Sequence, residues 1–315
     1  MSRAVSVRNL TKSYRRGRVR ALQGLDFDVR EGEIYGIIGP DGAGKTTLFR
    51  ILATLLLADE GTASVGGLDV VKDYRAVRRC IGYMPGRFSL YQDLTVEENL
   101  RFFASVFHTT VDENYGLVKD IYSQIEPFKT RRAGKLSGGM KQKLALSCAL
   151  IHAPRVLLLD EPTTGIDPVS RKELWDMLER LKHRHGITIV VSTPYMDEAV
   201  LCDRVALIQN GSFLRVDTPQ AIADSYTGRL WAVKTADMHR LLDDLRGCPA
   251  VEAAFSFGET FHVTPCKGTT PQDLEAYLAA KGHSRTDIRP ARATIEDCFI
   301  ALMGNATSQK EGTNR

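Results

Sequence analysis

A glycine-rich loop between an apolar run and a helical pattern constrains the fold of this 315-residue chain more than any other feature. Glu33 to Ile38 is short and mostly apolar, and it leads directly into Gly39, Gly42 and Gly44. From Lys45 onward, leucines and isoleucines recur at positions 48, 51, 52 and 55, which is the spacing of one helix face. The order strand, glycine loop, helix predicts an α/β fold whose loop presents backbone N–H groups to an anion at a helix N-terminus.

The loop has the spacing of a phosphate-binding loop, G-x-x-x-x-G-K-[ST]. Its glycines let the backbone approach phosphates closely, Lys45 would reach the β- and γ-phosphates, and the Thr46 hydroxyl would bind Mg²⁺. We therefore predict that ATP and Mg²⁺ bind here. The predicted nucleotide-binding residues of the loop are Gly39, Pro40, Asp41, Gly42, Ala43, Gly44, Lys45, Thr46 and Thr47.

A second apolar run, Val156 to Leu159, ends in two carboxylates. Continuous apolar runs are typical of parallel strands that are buried on both faces. Asp160 is predicted to hold the same Mg²⁺ and Glu161 to polarise the attacking water, so Glu161 and Lys45 are the predicted catalytic residues. An acidic pair at a strand end more often simply faces solvent, but the loop upstream favours the catalytic role.

Length and composition favour two domains and no membrane span. The chain exceeds one typical domain, and its longest apolar runs, such as residues 51–58, are far shorter than the ~18 residues that cross a bilayer. The first residues alternate like a strand and lack the apolar core of a signal peptide. Six scattered cysteines without a C-x-x-C pair indicate reduced thiols in a cytosol. A net charge of +4, from 42 basic and 38 acidic residues, gives no reason to expect nucleic-acid binding.

The pattern along the chain predicts a boundary near residue 226. Before it, residues 4–7 and 25–29 alternate like antiparallel strands, and a capping box at Thr95 opens a helical insert over about residues 87–150. Residues 227–304 predict the order strand, helix, hairpin, helix, strand, helix, which is typical of a small α+β ferredoxin-like domain. The polar tail, residues 305–315, is predicted to be disordered.

These features together resemble the ATP-binding-cassette (ABC) transporter ATPases over about residues 3 to 225. The segment Leu136 to Gln142, Leu-Ser-Gly-Gly-Met-Lys-Gln, resembles the signature of that family. The resemblance implies the P-loop NTPase ABC cassette, a mostly parallel sheet with an antiparallel β subdomain and a helical insert. It also implies that two chains enclose two ATP molecules, each chain contacting its partner's nucleotide. The residues that would make this contact are Ser137, Gly138, Gly139 and Gln142.

Two further roles follow from the resemblance alone. Tyr14 would stack on adenine, and Asp167, in the loop after the catalytic glutamate, would cross the dimer interface. From the residues themselves other interpretations stay open. A tyrosine beside a basic turn is more often simply packed, Asp167-Pro168 is also an ordinary helix start, and Ser137 is also an ordinary helix cap.

Two positions depart from the pattern of the family. Gly86 stands where a glutamine usually contacts Mg²⁺ and water, and Pro194 stands where a histidine usually contacts the γ-phosphate. Neither residue has a side-chain donor, and the loss of one transition-state donor typically slows a reaction by about 10²–10³. The chain's own pocket is therefore predicted to hydrolyse ATP slowly, unless a loop rearrangement lets Arg87 or Gln92 replace the lost glutamine.

The resemblance predicts the ATP-binding and ATP-hydrolysing subunit of an ABC transporter, cytoplasmic and peripheral on the inner face of the membrane, with separate membrane permease subunits. Residues 88–100 and 294–302 resemble bacterial exporters with ABC-2-type permeases. Because the signature is kept and the phosphate contacts are not, a second, different ABC ATPase is favoured as partner over a homodimer. Two alternatives stay open: a nucleotide-gated, largely non-hydrolysing partner in a heterodimer, and a soluble ABC protein outside transport.

Overall fold

The computed structural model describes residues 2–15 and 17–312, with residues 304–312 described by their backbone alone. It divides into two compact units, Met1–Pro219 and Gln220–Arg315. The strands of the first unit are β1 (Arg3–Tyr14), β2 (Val19–Arg30), β3 (Ile34–Ile38), β4 (Glu60–Val65), β5 (Leu68–Asp69), β6 (Ile81–Met84), β7 (Val156–Asp160), β8 (Thr188–Thr193), β9 (Arg204–Gln209) and β10 (Ser212–Asp217). Its α-helices are α1 (Lys45–Leu52), α2 (Tyr74–Cys80), α3 (Val96–Val106), α4 (Val111–Tyr122), α5 (Gly138–Leu150) and α6 (Pro168–His185).

A six-stranded sheet in the order β10-β9-β3-β8-β7-β6 forms the centre of the first unit. Its strands are parallel except for the edge strand β10. Every residue of β3, β7 and β8 is buried, as the continuous apolar runs predict. Since parallel strands end at the same edge of the sheet, the segments that follow β3, β6, β7 and β8 meet there.

A second, antiparallel sheet of the first unit has the order β2-β1-β4-β5. The two strands predicted around the basic turn are confirmed, since β1 and β2 pair antiparallel along most of their length. One buried cluster includes Leu25 and Phe27 of β2, Phe49 of α1 and Leu158 of β7. The antiparallel sheet, α1 and the central sheet therefore share one hydrophobic core.

The helical insert lies between β6 and β7 and contains α3, α4 and α5. The predicted capping box at the start of α3 is confirmed: the Thr95 hydroxyl accepts a hydrogen bond from the Glu98 N–H at 3.2 Å, and the Glu98 carboxylate accepts one from the Thr95 N–H at 2.8 Å. Two otherwise unpaired N–H groups at the helix start are thereby satisfied.

The second unit has a four-stranded antiparallel sheet in the order β12-β13-β11-β14. This order, with a helix after the first strand and another after the third, confirms the predicted ferredoxin-like arrangement. Residues of α8 and α9 pack on one face of the sheet in a single buried cluster with Trp231 and Val263. The elements are α7 (Pro219–Asp224), β11 (Trp231–Lys234), α8 (Met238–Arg246), β12 (Val251–Phe257), β13 (Thr260–Pro265), α9 (Pro271–Ala280), β14 (Asp287–Pro290) and α10 (Ile295–Gly312).

Two predictions about the limits of the second unit can be compared with the structure. The compact units divide at Pro219, so the boundary predicted at residue 226 lies too far along the chain. The reason is that α7 packs within the second unit, where the Ile222 carbonyl accepts a hydrogen bond from the Cys298 thiol at 3.2 Å. The backbone of α10 continues to Gly312, and the disorder of the tail from residue 305 stays a prediction. Residues 313–315 lie outside the described residues.

Two features of the structure relate to the predictions from composition. Within residues 2–15 and 17–312, no helix is both long enough and apolar enough to span a bilayer. The six cysteines form no disulfide bond with one another, and four of them are buried.

Candidate functional site

The phosphate loop joins β3 to α1 and is shaped by its glycines. Gly44 has φ +107° and immediately precedes α1, so the helix has no side chain at its N-cap and its first N–H groups stay available. A Cβ at Gly44 would overlap the Ala21 carbonyl, and one at Gly39 would overlap the Ile208 carbonyl. Only glycine fits both positions, and the loop has the form of a cradle for an anion.

The Lys45 side chain is folded back onto this loop. Its ammonium group donates to the carbonyl oxygens of Gly39 at 2.7 Å and Pro40 at 3.0 Å. It also forms an ion pair with Glu161, with 3.1 Å between Nζ and Oε1. The structure thus brings together the two residues that were predicted to be catalytic, although they are far apart in the sequence.

The predicted magnesium ligands, Thr46 and Asp160, also meet. Asp160 ends β7 and is 1% exposed; its carboxylate accepts hydrogen bonds from the hydroxyl groups of Ser192, at 2.7 Å, and Thr46. Burial raises the pKa of Asp160 above its ordinary value, while the two hydroxyl donors act in the opposite direction.

Glu161 follows β7 in a backbone conformation that is rare for a residue with a side chain. Its φ is +52°, in the left-handed region, which costs about 1–3 kcal/mol. Two hydrogen bonds from its N–H hold this conformation, one to the Ser192 carbonyl at 3.1 Å and one to the Ser192 hydroxyl at 2.9 Å. The Glu161 side chain is 21% exposed, so its carboxylate remains accessible to water.

Ser192 is a residue of the candidate site that the sequence analysis did not single out. Its one hydroxyl group donates to the Asp160 carboxylate and accepts from the Glu161 N–H. It therefore positions both carboxylate residues from the neighbouring strand. The signal that could have found it is strand order: Ser192 lies directly opposite Asp160 in the register of β7 and β8.

The two departures from the family pattern lie at the same edge of the sheet. Gly86 follows β6, and a Cβ added there would lie 3.0 Å from the Asp160 carbonyl and 3.8 Å from its Oδ2 atom. Pro194 follows β8, directly after Thr193, whose carbonyl accepts the Gly39 N–H at 3.2 Å. Both positions therefore adjoin the predicted phosphate and metal site, and neither supplies a side-chain donor.

The two predicted substitutes for the missing glutamine are not brought to the site. The Gln92 carbonyl accepts the Gly134 N–H at 2.9 Å, which ties this residue to the helical insert. Among the described contacts, Arg87 makes no hydrogen bond or ion pair with a residue of the phosphate loop.

The remaining residues of the loop are arranged as a compact turn. The Ala43 N–H donates to the Pro40 carbonyl at 3.2 Å, and the Ala43 carbonyl accepts the Gly211 N–H at 2.9 Å. Asp41 is exposed, as is Tyr14, whose hydroxyl lies 3.3 Å from the Thr47 hydroxyl. The exposed position of Tyr14 beside the loop is compatible with stacking on a base, and this stacking stays a prediction.

The signature segment forms the exposed N-terminus of α5. Ser137 caps the helix by accepting the Met140 N–H at 3.4 Å, and Gly138 is exposed. A Cβ at Gly139 would lie 2.6 Å from the Ser170 hydroxyl oxygen, so the segment packs closely against the start of α6. Gln142 lies in the first turns of α5 and is half-buried. The contact of these residues with a partner's nucleotide stays a prediction.

Asp167 caps α6. Its carboxylate accepts the Ser170 N–H at 2.9 Å, and this hydrogen bond together with that from the Ser170 hydroxyl holds the pKa of Asp167 below its ordinary value. The helix-start interpretation of Asp167-Pro168 is confirmed. Its predicted role at a dimer interface stays a prediction.

The donor groups at the site fit Mg²⁺ only together with a nucleotide. Among the described residues, no group of three or more His, Cys, Asp or Glu side chains could hold a metal ion. Mg²⁺ prefers hard oxygen ligands and usually binds one or two protein groups together with phosphates and water. The Thr46 hydroxyl and the Asp160 carboxylate, close to the N-terminus of α1, supply such a set.

Comparison with known proteins identifies the family. Residues 22–164 match the family model described as "ABC transporter". The chain is 35% identical over 305 residues to the Nod factor export ATP-binding protein I of Mesorhizobium japonicum, an alignment that covers 96% of this chain and 87% of that protein. This chain belongs to the family of ABC transporter ATP-binding proteins.

Two further comparisons agree with this membership. The chain is 40% identical over 290 residues to the probable multidrug ABC transporter ATP-binding protein YbhF of Escherichia coli. This alignment covers 91% of the chain but only 50% of YbhF. The chain thus spans half the length of this relative. A dimeric structure of a post-hydrolysis state of the ATP-binding cassette MJ0796, bound to ADP and Pi, superposes with a TM-score of 0.62 and 27% identity, over 68% of this chain and 98% of that one.

Proposed function

We propose that this chain is the ATP-binding and ATP-hydrolysing subunit of an ABC transporter of the exporter type, and that its own pocket turns over slowly. The observation that carries the proposal is the edge of the central sheet, where the phosphate loop, Lys45, Asp160 and Glu161 meet two residues without donors, Gly86 and Pro194. The names of the relatives, a probable multidrug transporter component and a Nod factor export protein, support the exporter type.

ATP would bind with its phosphates on the N–H groups at the start of α1. Lys45 would turn from the loop carbonyls to the β- and γ-phosphates, and Tyr14 would stack on the adenine, which is worth about 1–3 kcal/mol. Thr46 and Asp160 would hold Mg²⁺. When bound, that ion neutralises charge on the phosphates during transfer.

The Glu161 carboxylate is the group that would polarise the attacking water. It is partly exposed at the end of a buried strand, and the left-handed turn at its own Cα is fixed by Ser192. A base held in this way needs little reorganisation before it accepts a hydrogen bond from water.

The slow turnover follows from what Gly86 and Pro194 lack. A glutamine side chain grown from Gly86 would begin 3.8 Å from Asp160 Oδ2, and therefore within reach of the metal and water. Because transition-state donors at such positions are typically worth about 10²–10³ in rate each, the pocket should bind ATP well and hydrolyse it poorly.

The partner is proposed from a difference between two parts of the chain: the signature segment is kept, whereas the chain's own ATP pocket lacks two phosphate contacts. Ser137 and Gly138 are exposed at a helix N-terminus and can meet a phosphate on another subunit. A homodimer would repeat the missing contacts in both pockets, whereas a different ABC ATPase could supply one complete pocket. We therefore infer a heterodimer that is attached to separate permease subunits, on the cytoplasmic face of the membrane.

The test is single-turnover hydrolysis in the complex purified with its permease and ATPase partners. Glu161→Gln in this chain should lower turnover only in this chain's pocket, and the double change Gly86→Gln with Pro194→His should raise it by about tenfold or more. Glu275→Gln, at an exposed position of α9, is the matched control and should change nothing.

The outcomes separate the candidates. If Glu161→Gln has no effect, the second candidate is correct: a nucleotide-gated partner that binds ATP without hydrolysing it, which the donor-free positions also favour. If the chain assembles with its permease as a homodimer and turns over at the rate of a complete pocket, the heterodimer is wrong.

A further inference from the structure

A cavity of about 590 Å³ lies within the second unit, on the sheet face opposite to α8 and α9. Phe261 and Val263 of β13 point into the core beneath those helices, so His262 between them points to the opposite face. The first turns of α10 and the segment before β11 form the other walls of the cavity. A volume of this size is typical of sites for small molecules.

His262 is a buried side chain with an unused nitrogen in this cavity. The residue is 6% exposed, and its ring stacks on Phe257 with 4.1 Å between the centroids. Its Nδ1 atom lies 2.9 Å from Asp297 Oδ1 and 3.1 Å from Oδ2. Among the described residues, Nε2 has no hydrogen-bond partner, although His262 lines the cavity.

The contact with Asp297 fixes what Nε2 can do. Burial alone would raise the pKa of Asp297, but the hydrogen bonds from His262 and Thr294 outweigh it and hold the pKa below its ordinary value. Since an ionised carboxylate only accepts hydrogen bonds, Nδ1 carries a proton. In the neutral ring Nε2 is then an acceptor, and it is directed at the cavity by a buried carboxylate.

The charged groups of the cavity favour a cationic ligand. The carboxylates of Glu252 and Asp297 line it, and among the residues whose side chains the structure describes no lysine or arginine does. The register of β12 and β13 shifts between Val251 and Ala253, so Glu252 lies in a β-bulge, which can re-aim a side chain. Besides burial, both carboxylates contribute to raising the pKa of Tyr226, which also lines the cavity.

Hydroxyl groups of Ser225, Thr227 and Thr264 and several apolar side chains, among them Leu230, Phe255, Ile300 and Leu302, also line the cavity. We propose that this cavity binds a small amphipathic amine, whose protonated nitrogen donates to His262 Nε2 and is attracted by Glu252, while its apolar body contacts Phe255 and Ile300. This site is separate from the nucleotide site and does not depend on the proposed function.

The probe for the test is monodansylcadaverine, an aromatic body with a primary amine, titrated by fluorescence into the 315-residue chain both without nucleotide and at saturating Mg·ATP. Its N-acetylated form, which is neutral, is the matched ligand control. His262→Asn keeps a group at the position of Nδ1 and loses the one at Nε2, whereas His262→Gln keeps a polar group near Nε2. His283→Asn is the control variant, because His283 is the other buried histidine of this unit and pairs with Asp244 outside the cavity.

We expect saturable binding of one probe per chain that ATP does not displace. His262→Asn should weaken it by about tenfold or more, since a hydrogen bond to a charged group is lost, and His262→Gln should weaken it less. Glu252→Gln, an exposed change that leaves folding intact, should weaken binding of the amine probe but not of the acetylated probe. The control His283→Asn should bind the amine probe as the wild type does.

Three results would overturn the proposal: binding that does not saturate, displacement of the probe by ATP, or equal affinity of the wild type, His262→Asn and Glu252→Gln. Thermal unfolding of each variant shows whether lost binding reflects a lost fold. If His262→Asn does not fold, the comparison of Glu252→Gln with the wild type decides.

Discussion

Ser192→Ala is the change that tests most directly how the site is built. It removes a hydroxyl that donates to the buried Asp160 carboxylate at 2.7 Å and accepts the Glu161 N–H at 2.9 Å. A hydrogen bond to a charged group is worth about 1.5–3 kcal/mol and an ordinary one about 0.5–1.5 kcal/mol. The second bond is only partly lost, because the Ser192 carbonyl still accepts the Glu161 N–H at 3.1 Å.

The expected loss in the free energy of unfolding of the first unit is therefore about 2–4 kcal/mol. Ser147→Ala is the matched control, because Ser147 is equally buried but its hydroxyl donates only to the Lys143 carbonyl one helical turn earlier, at 2.8 Å. Since alanine is the best helix former and that carbonyl keeps its backbone environment, the control should cost about 1 kcal/mol or less.

The assay is urea unfolding followed by tryptophan fluorescence. The chain has two tryptophans, one in each unit, so Trp231→Phe leaves Trp175 of α6 as a reporter of the first unit alone. Mg²⁺-dependent ATP affinity is measured on the same proteins and should fall for Ser192→Ala. If Ser192→Ala is no less stable than Ser147→Ala and binds Mg·ATP as the wild type does, Ser192 does not position Asp160 and Glu161.

Three further predictions concern other parts of the first unit. Gly44→Ala should abolish ATP binding measured by calorimetry, because its Cβ would overlap the Ala21 carbonyl, whereas Gly42→Ala, with open space around it, should bind more weakly but measurably. Mg·ATP affinity should decrease as the pH falls through the raised pKa of Asp160, because Mg²⁺ needs the ionised carboxylate. Without ligands the sign is opposite: burial favours the protonated carboxyl, so its contribution to the free energy of unfolding is lost as the pH rises through that pKa. Asp160→Asn should lack this pH dependence of Mg·ATP affinity. Equal pH profiles for Asp160→Asn and the wild type would contradict the role of Asp160. Thr95→Ala should destabilise the start of α3 by about 1 kcal/mol, seen as faster amide exchange there, and unchanged exchange would contradict the capping role.

What the sequence predicted well was local. The phosphate loop was predictable because glycine spacing, a preceding apolar run and a following helical period occur within about twenty residues of one another. The capping box at Thr95 and the strand and helix order after residue 226 are local patterns of the same kind, and the structure confirms both.

What the sequence left out depends on contacts between distant segments. Ser192 became visible only when strand order placed β8 beside β7, and the same holds for the ion pair of Lys45 with Glu161. The boundary was misplaced because α7 is a short helix whose pattern does not show which unit it packs against. Arg87 and Gln92 were plausible substitutes by type and proximity in sequence, but the structure brings neither to the phosphate loop.

The ion pair between Lys45 and Glu161 would link nucleotide binding to the availability of the predicted base. The Glu161 Oε1 atom lies 3.1 Å from the Lys45 ammonium group, so one oxygen of this carboxylate is already engaged. Phosphates that attract the ammonium group would leave the carboxylate free when there is a bond to hydrolyse. Under the proposed function, Lys45 would therefore control when Glu161 is available as well as hold the phosphates, and water would stay unactivated until a nucleotide has bound.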